Sequence, residues 1–180
     1  MRAFIACPLP DHVTSALADL AARVKVGRAV PEENLHLTLA FLEEQPVEVL
    51  EALHEELEVI SSPLFEVCFR GLEPMGGKTP SVLAIRAEGA EALQKQVSGA
   101  ARLAGISLPH RRFRGHVTIA RLPRHPAEAD QVALGHALEV FGAVELPPVT
   151  VDQFALFRSE LHPDGARHEV LAEYDLSTSG

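Results

Sequence analysis

Two histidine–threonine pairs are the residues of this chain whose types and spacing could do chemistry. One residue separates His36 from Thr38, and one residue separates His116 from Thr118. Imidazoles titrate near neutral pH, so one ring can accept a proton while the other donates one. Threonine hydroxyls can donate hydrogen bonds to phosphate oxygens as negative charge builds on them. This set of groups is suited to cleaving a phosphoester without a metal ion.

The two pairs occupy equivalent positions in an internal repeat. A shift of 80 residues places Met1–Glu48 over Ser81–Glu128 without a gap, and the matches concentrate in HLTLAFLEEQP and HVTIARLPRHP. A single HxTx tetrapeptide often occurs by chance, whereas two copies at the same place in a repeat indicate a shared role. We therefore expect His36 and His116 to be catalytic, and the two threonines to bind the substrate phosphate.

The apolar pattern predicts that each pair lies on a β-strand. In Leu35–Phe41 and Gly115–Arg121, apolar residues fall mainly on the odd-numbered positions. Side chains of a strand alternate between its faces, so the odd positions should face a core and the even ones a cleft. Phe41 and Arg121 are equivalent in the repeat and should point away from the histidines. The twist of a strand end could still bring them to the rim of the cleft.

The spacing of apolar residues predicts that each half of the chain forms a strand, a helix, a strand, a helix and a strand, in that order. The expected fold class is α+β. We expect two similar lobes around a central cleft, each with an antiparallel sheet and flanking helices. Residues 1–180 should form a single bilobal domain. No glycine-rich loop follows a strand, which argues against a doubly wound fold. Besides the motif strands, the expected strands are Ala3–Cys7, Phe65–Arg70, Val82–Ala87, Val149–Phe157 and Val170–Leu176, and the expected helices start near Asp11, Val47, Gly89 and Ala127.

The charge distribution points to a local anion site. The net charge of −9 argues against nucleic-acid binding that relies on bulk electrostatics. However, no acidic residue lies between Glu91 and Glu128, a stretch that carries seven lysines and arginines. The weaker candidates for substrate contact are Arg112 and Arg114, in the loop before the second motif, together with Phe41 and Arg121.

Several classes of protein are disfavoured by composition. No apolar run approaches the ~18 residues of a membrane span, and the N-terminus reads as a strand and turn rather than a signal peptide. Cys7 and Cys68 lie in apolar, strand-like runs, so we expect buried reduced thiols in a cytoplasmic protein. Two histidines are too few for a metal site. We expect a monomer with no cofactor and no membrane partner.

Four segments of the sequence resemble those of a known family. ENLHLTLAFL and RFRGHVTIAR, with RAFIACPLP near the start and FALFRSELHPDGARHEVLAEYDL near the end, resemble the 2H phosphoesterase superfamily, in particular bacterial RNA 2′,3′-cyclic phosphodiesterases (2′-5′ RNA ligases). The resemblance implies metal-independent hydrolysis of the cyclic phosphate at RNA 3′ ends to a 2′-phosphate, with reversible 2′-5′ ligation. It implies that His36 is the proton donor, His116 the proton acceptor, and Thr38 and Thr118 the phosphate ligands.

Two departures from the family pattern are expected to affect substrate contacts rather than the chemistry. Gly115 stands where proline is common, and His168 stands where an aromatic residue is common. We expect His168, like the other histidines outside the motifs, to lie outside the site. The sequence leaves open another cyclic phosphate as substrate (ADP-ribose cyclic phosphate or a 2′-5′ oligonucleotide), and a non-catalytic module that binds RNA ends or cyclic nucleotides.

Overall fold

The computed structural model describes residues Met1–Ser177. The chain forms nine strands and four α-helices within these residues. A short 3₁₀ turn, Glu32–Asn34, precedes the first motif strand. The elements in chain order are β1 (Arg2–Pro8), α1 (Asp11–Val24), β2 (Arg28–Ala29), β3 (His36–Glu44), α2 (Val47–Glu58), β4 (Phe65–Met75), β5 (Val82–Glu88), α3 (Glu91–Leu103), β6 (His116–Arg121), α4 (Glu128–Phe141), β7 (Glu145–Val151), β8 (Gln153–His162) and β9 (Gly165–Asp175).

Two antiparallel sheets form the two lobes, as the α+β pattern predicted. The strand orders are β3-β1-β8-β9 in the first sheet and β2-β6-β5-β4-β7 in the second. Strands cross between the lobes in both directions: β2 and β4 of the first half pair with β6 and β5, and β8 of the second half pairs with β1. Neither sheet is therefore built from one continuous stretch of chain.

The C-terminal strands differ from the sequence prediction in two ways. The expected strand Val149–Phe157 is wrong, because the chain breaks at Asp152 into β7 and β8, which belong to different sheets. The strand expected at Val170–Leu176 is present as β9, but it starts five residues earlier, at Gly165, because it pairs along most of β8.

The helices hold the motif strands from the side opposite the cleft. Leu17 of α1 and Val97 of α3 are fully buried, as are Leu37 of β3 and Val117 of β6. Helix α1 contacts β6 and α3 contacts β3, so each helix packs on the motif strand of the other repeat. Burial of one such aliphatic side chain stabilises the fold by roughly 1.5–3 kcal/mol. The shared core therefore fixes both motif strands relative to each other.

Both cysteines are free thiols in different environments. Cys7 is buried in β1, and burial raises the pKa of its thiol to about 12. The expectation that Cys68 is buried is wrong: it lies on β4 between the buried Val67 and Phe69, and the alternation of the strand turns it to solvent. Among the helices of residues 1–177, none combines the length and apolar character needed to span a membrane.

Candidate active site

The four motif residues come together in one cleft between the two sheets. The cleft has a volume of about 240 Å³, and His36, Thr38, His116 and Thr118 all line it. All four are partly buried, whereas the apolar residues between them are buried in the core. Each lobe therefore presents one imidazole and one hydroxyl from a strand whose other face is packed.

A β-bulge on each motif strand brings two further residues into the cleft. The register with the neighbouring strand skips Leu39 in β3 and Ile119 in β6, which are equivalent in the repeat. Each of these residues and the alanine after it are buried, so the alternation between faces shifts by one position. The expectation that Phe41 and Arg121 point away from the histidines is thus wrong: both line the cleft, and Phe41 is 55% exposed.

The imidazole of His116 is held by the loop before its strand. Its Nδ1 lies 2.7 Å from the carbonyl oxygen of Arg114. Because a carbonyl can only accept, Nδ1 is the donor and the neutral ring keeps its lone pair on Nε2. The loop itself is anchored where the carbonyl of Gly115 accepts from the backbone N–H of Ala87 at 2.8 Å. A Cβ on Gly115 would lie 2.1 Å from the Ala87 oxygen, so this close approach requires glycine.

The imidazole of His36 lies among other rings. Its centroid is 4.8 Å from that of Phe157, 5.4 Å from that of His168 and 5.9 Å from that of Phe4. Burial and, to a smaller extent, the nearby His168 lower the pKa of His36, a hydrogen bond with the backbone of Asn34 opposes the shift, and the resulting pKa is about 4. The ring is therefore neutral near pH 7 in the empty cleft.

His168 is the site residue that sequence reasoning missed. It was expected outside the site, but β9 places its ring beside His36 and edge-on to Phe4, with centroids 4.8 Å apart. Its pKa is lowered by burial and by the positive charge of Arg121. Its Nδ1 is buried without a hydrogen-bond partner among the described residues. The sequence offered one signal for it, because His168 stands at a position where the family commonly has an aromatic residue.

The arginines divide into two groups. Arg121 lines the cleft, and so do Arg28 of β2 and Arg2 of β1, which the sequence did not single out. Arg112 and Arg114 do not line it, and Arg114 forms an ion pair with Glu73. Among residues 1–177, no group of three or more His, Cys, Asp or Glu side chains is arranged to hold a metal ion.

The family model of the 2′-5′ RNA ligase superfamily matches residues 9–163 of the chain. The chain therefore belongs to this superfamily. It is 35% identical to an RNA 2′,3′-cyclic phosphodiesterase of Thermus thermophilus, over 98% of this chain and 90% of the relative. It is 28% identical to a protein of the same name from Archaeoglobus fulgidus, over 97% of this chain and the whole of the relative.

Solved structures show the same fold. The Thermus thermophilus protein TT0787 aligns over the full length of both chains with a TM-score of 0.77 and 29% identity. The LigT protein of E. coli, solved with 3′-AMP, aligns over 98% of both chains with a TM-score of 0.78 and 22% identity. The chain therefore has the same overall fold as these proteins.

Proposed function

We propose that this protein hydrolyses the 2′,3′-cyclic phosphate at RNA 3′ ends to a 2′-phosphate. The observation that carries the proposal is the meeting of two imidazoles and two hydroxyls, one of each from either lobe, in a single cleft. The curated relatives named RNA 2′,3′-cyclic phosphodiesterases support the substrate class. The family resemblance supports the position of the bond that breaks.

His116 would activate water. Its Nδ1–H is committed to the carbonyl of Arg114, so Nε2 is the nitrogen free to take a proton. The water oxygen attacks phosphorus as its proton passes to Nε2, and a new P–O bond forms. The loop that fixes the ring therefore also selects the tautomer that a general base needs.

His36 would protonate the leaving group. The P–O3′ bond breaks, O3′ takes a proton from the imidazolium, and the phosphate remains on O2′. The ring is neutral in the empty cleft, since its pKa is about 4. A bound cyclic phosphate carries a negative charge beside it, which favours the protonated ring. Substrate binding would thus help to load the proton that the reaction uses, and proton exchange with solvent restores both rings after turnover.

The remaining cleft residues would bind the phosphate and the base. The cyclic diester has one negative charge and the monoester product has two, so charge develops on the non-bridging oxygens. Thr38, Thr118 and Arg121 line the cleft and can donate hydrogen bonds to these oxygens. The exposed ring of Phe41 offers a face on which a base can stack.

The same groups would catalyse ligation when a ribose 5′-hydroxyl replaces water. The O5′ oxygen attacks the cyclic phosphate, its proton passes to one imidazole, and O3′ receives a proton from the other. The product is a 2′-5′ linkage, and because an O5′–P bond forms as the P–O3′ bond breaks, the step is reversible and needs no nucleoside triphosphate. We expect this reaction only where 5′-hydroxyl RNA ends are concentrated enough to compete with water.

Product analysis tests the proposed function directly. The protein is incubated with adenosine 2′,3′-cyclic phosphate and with a short RNA ending in a cyclic phosphate, with and without EDTA. We expect ³¹P NMR to show a 2′-phosphate at equal rates in both conditions. A 3′-phosphate would contradict the regiochemistry, and loss of activity in EDTA that a divalent ion restores would contradict the metal-free mechanism. Turnover of ADP-ribose cyclic phosphate alone, or binding without turnover, would favour the alternatives named above.

A further inference from the structure

Arg28 and Arg121 form a pair of like charges on the wall of the second lobe. Strand β2 pairs antiparallel with β6, and the register places Arg28 directly opposite Arg121. Directly opposed residues of a pair share one face of the sheet, with Cβ atoms about 5 Å apart. Both residues line the cleft, so both side chains belong to the face that also carries His116 and Thr118.

Glu43 and Asp164 also line the cleft, but neither forms an ion pair with Arg28 or Arg121. Like charges directly opposite each other destabilise a strand pair. Within residues 1–177, neither guanidinium takes part in an ion pair. The carboxylate of Glu43, which also lines the cleft, lies 4.0 Å from Arg2 on the first sheet. An anionic ligand is therefore the missing partner of the Arg28–Arg121 pair.

The backbone holds Arg28 in this place. Gly27 has a φ of +62°, and a Cβ there would lie 2.2 Å from the carbonyl oxygen of Arg121, so glycine is needed for β2 to approach β6. On the other side of β2, the N–H of Val30 donates to the carbonyl oxygen of Ile119 at 2.9 Å. Arg28 is thus carried by a short strand that is tied down at both ends, immediately beside the bulge that turns Arg121 into the cleft.

We propose that Arg28, beside Arg121 on the same wall, binds the RNA phosphate on the 5′ side of the ribose that bears the cyclic phosphate, while Arg121 contacts the cyclic phosphate itself. This inference rests on the proposed function, and it adds a second phosphate subsite to it. The cyclic phosphate ends the chain, so every other backbone phosphate lies on the 5′ side of the terminal ribose. Arg121 lies three residues beyond Thr118 on β6, roughly 10 Å at the rise of a strand, and Arg28 lies farther out on the edge strand.

The consequence is a preference for RNA ends over mononucleotides. A nucleoside 2′,3′-cyclic phosphate has no second phosphate and leaves Arg28 without a ligand. A dinucleotide with a terminal cyclic phosphate places a phosphodiester there. Charge-assisted hydrogen bonds from guanidinium to phosphate are the stronger class of hydrogen bond. The subsite would therefore select substrates that carry a phosphate on the 5′ side of the terminal nucleotide, whatever the base of that nucleotide.

The test compares substrates that differ by one phosphate group. They are adenosine 2′,3′-cyclic phosphate, the same compound with a 5′-phosphate, and the dinucleotide ApA ending in a cyclic phosphate. In Arg28→Ala we expect kcat/KM for the two larger substrates, relative to the smallest, to fall about tenfold. Arg28→Lys should recover part of this ratio because it keeps the charge. Arg102→Ala, which removes an exposed arginine of α3 outside the cleft, should leave the ratio unchanged.

A binding experiment keeps the inference separate from the proposed function. Affinities for 2′-AMP and adenosine 2′,5′-bisphosphate are measured by calorimetry, which requires no turnover. We expect Arg28→Ala to reduce the preference for the bisphosphate about tenfold. Absence of hydrolysis in the unaltered protein would contradict the proposed function alone. If Arg28→Ala keeps the normal preference for the bisphosphate over 2′-AMP, the subsite is overturned. If Arg28→Ala weakens only the compounds with a 5′-phosphate and not ApA ending in a cyclic phosphate, the assignment of the subsite to RNA is overturned.

Discussion

The two motif strands are equivalent in the repeat, but the walls of the cleft give their histidines different surroundings. The wall of the first sheet surrounds His36 with the rings of Phe4, Phe157 and His168. The wall of the second sheet places His116 on the same face as Arg121. Even the residues brought in by the two equivalent bulges differ, since one is Phe41 and the other is Arg121.

In the proposed reaction, this difference lets a repeated motif serve two distinct tasks. Both strands keep the imidazole and the hydroxyl, to which we assign the proton transfers and the phosphate contacts. The apolar wall disfavours a charged imidazole in the empty cleft and offers ring faces to a base. The basic wall offers positive charge to phosphates.

Removal of either motif histidine should have the largest effect. We expect His36→Ala and His116→Ala each to lower kcat by about 10²–10⁴-fold, because each removes one proton transfer. The double variant should lose less than the product of the two, because the residues act as a unit. His125→Ala, which removes an exposed histidine outside the cleft, is the matched control and should retain full activity. Steady-state kinetics on the cyclic mononucleotide measure the effect, and near-normal turnover in either motif variant would remove that histidine from the chemistry.

Loss of either hydroxyl should have a smaller effect. Thr38→Val and Thr118→Val keep the shape of the side chain and delete the hydrogen-bond donor. We expect kcat to fall by about 10–10³-fold, and the upper end of this range is the loss seen when one oxyanion-hole donor is removed. The loss should appear mainly in kcat, because the charge that the hydroxyls meet grows in the transition state. A change confined to KM would indicate that the hydroxyls bind substrate and transition state equally.

The two bulge residues should respond differently to the choice of substrate. Arg121→Gln should weaken kcat/KM for every cyclic phosphate by a similar factor, because the phosphate is common to all of them. Phe41→Ala should lower kcat/KM by roughly 5–100-fold, the range expected from the loss of one base–aromatic stack, with a factor that varies with the base. A panel of the four nucleoside 2′,3′-cyclic phosphates measures both variants. Equal behaviour of the two would contradict the division between an aromatic wall and a basic wall.

The smallest expected effects concern the proton affinity of His36. NMR titration should give a pKa of about 4 for this ring in the free protein, and a higher pKa when 2′-AMP is bound. His168→Phe removes a charge that lowers the pKa of His36, so it should raise that pKa while keeping a ring in place. The protonated donor is present below its pKa and lost above it, so His168→Phe should raise the protonated fraction of His36, and with it kcat/KM, at a fixed pH near 7. An unchanged kcat/KM would mean that protonation of His36 in the free protein does not limit the reaction.

The same shift has a consequence for stability. Burial holds the pKa of His36 in the folded protein below the value of the unfolded chain, so the unfolded state binds the proton more readily. The stability due to the neutral ring is complete above about pH 6.5, the ordinary value for histidine, and is lost as the pH falls toward 4. Chemical denaturation at pH 7 and pH 4.5 should therefore show a smaller acid-induced loss in His36→Gln than in the unaltered protein.

Much of the fold could be read from local pattern. The repeat and the alternation around the motifs predicted the α+β class and the two lobes, and the buried Leu37 and Val117 follow that alternation. The pattern could not show that β4 and β8 exchange lobes, because strand pairing depends on which edge is free after the chain has folded. It also joined β7 and β8 into one strand, since both are apolar and only Asp152 separates them.

By itself, the sequence determined which groups stand at the ends of the two motif strands, because residues at positions i and i+2 of a strand share a face wherever the strand lies. Only the tertiary structure decided what surrounds those groups. The bulges that turn Phe41 and Arg121 into the cleft arise from the register with neighbouring strands, and His168 reaches His36 through a hairpin far along the chain. Spacing along the chain is a local property, whereas register and burial depend on partners that are distant in sequence.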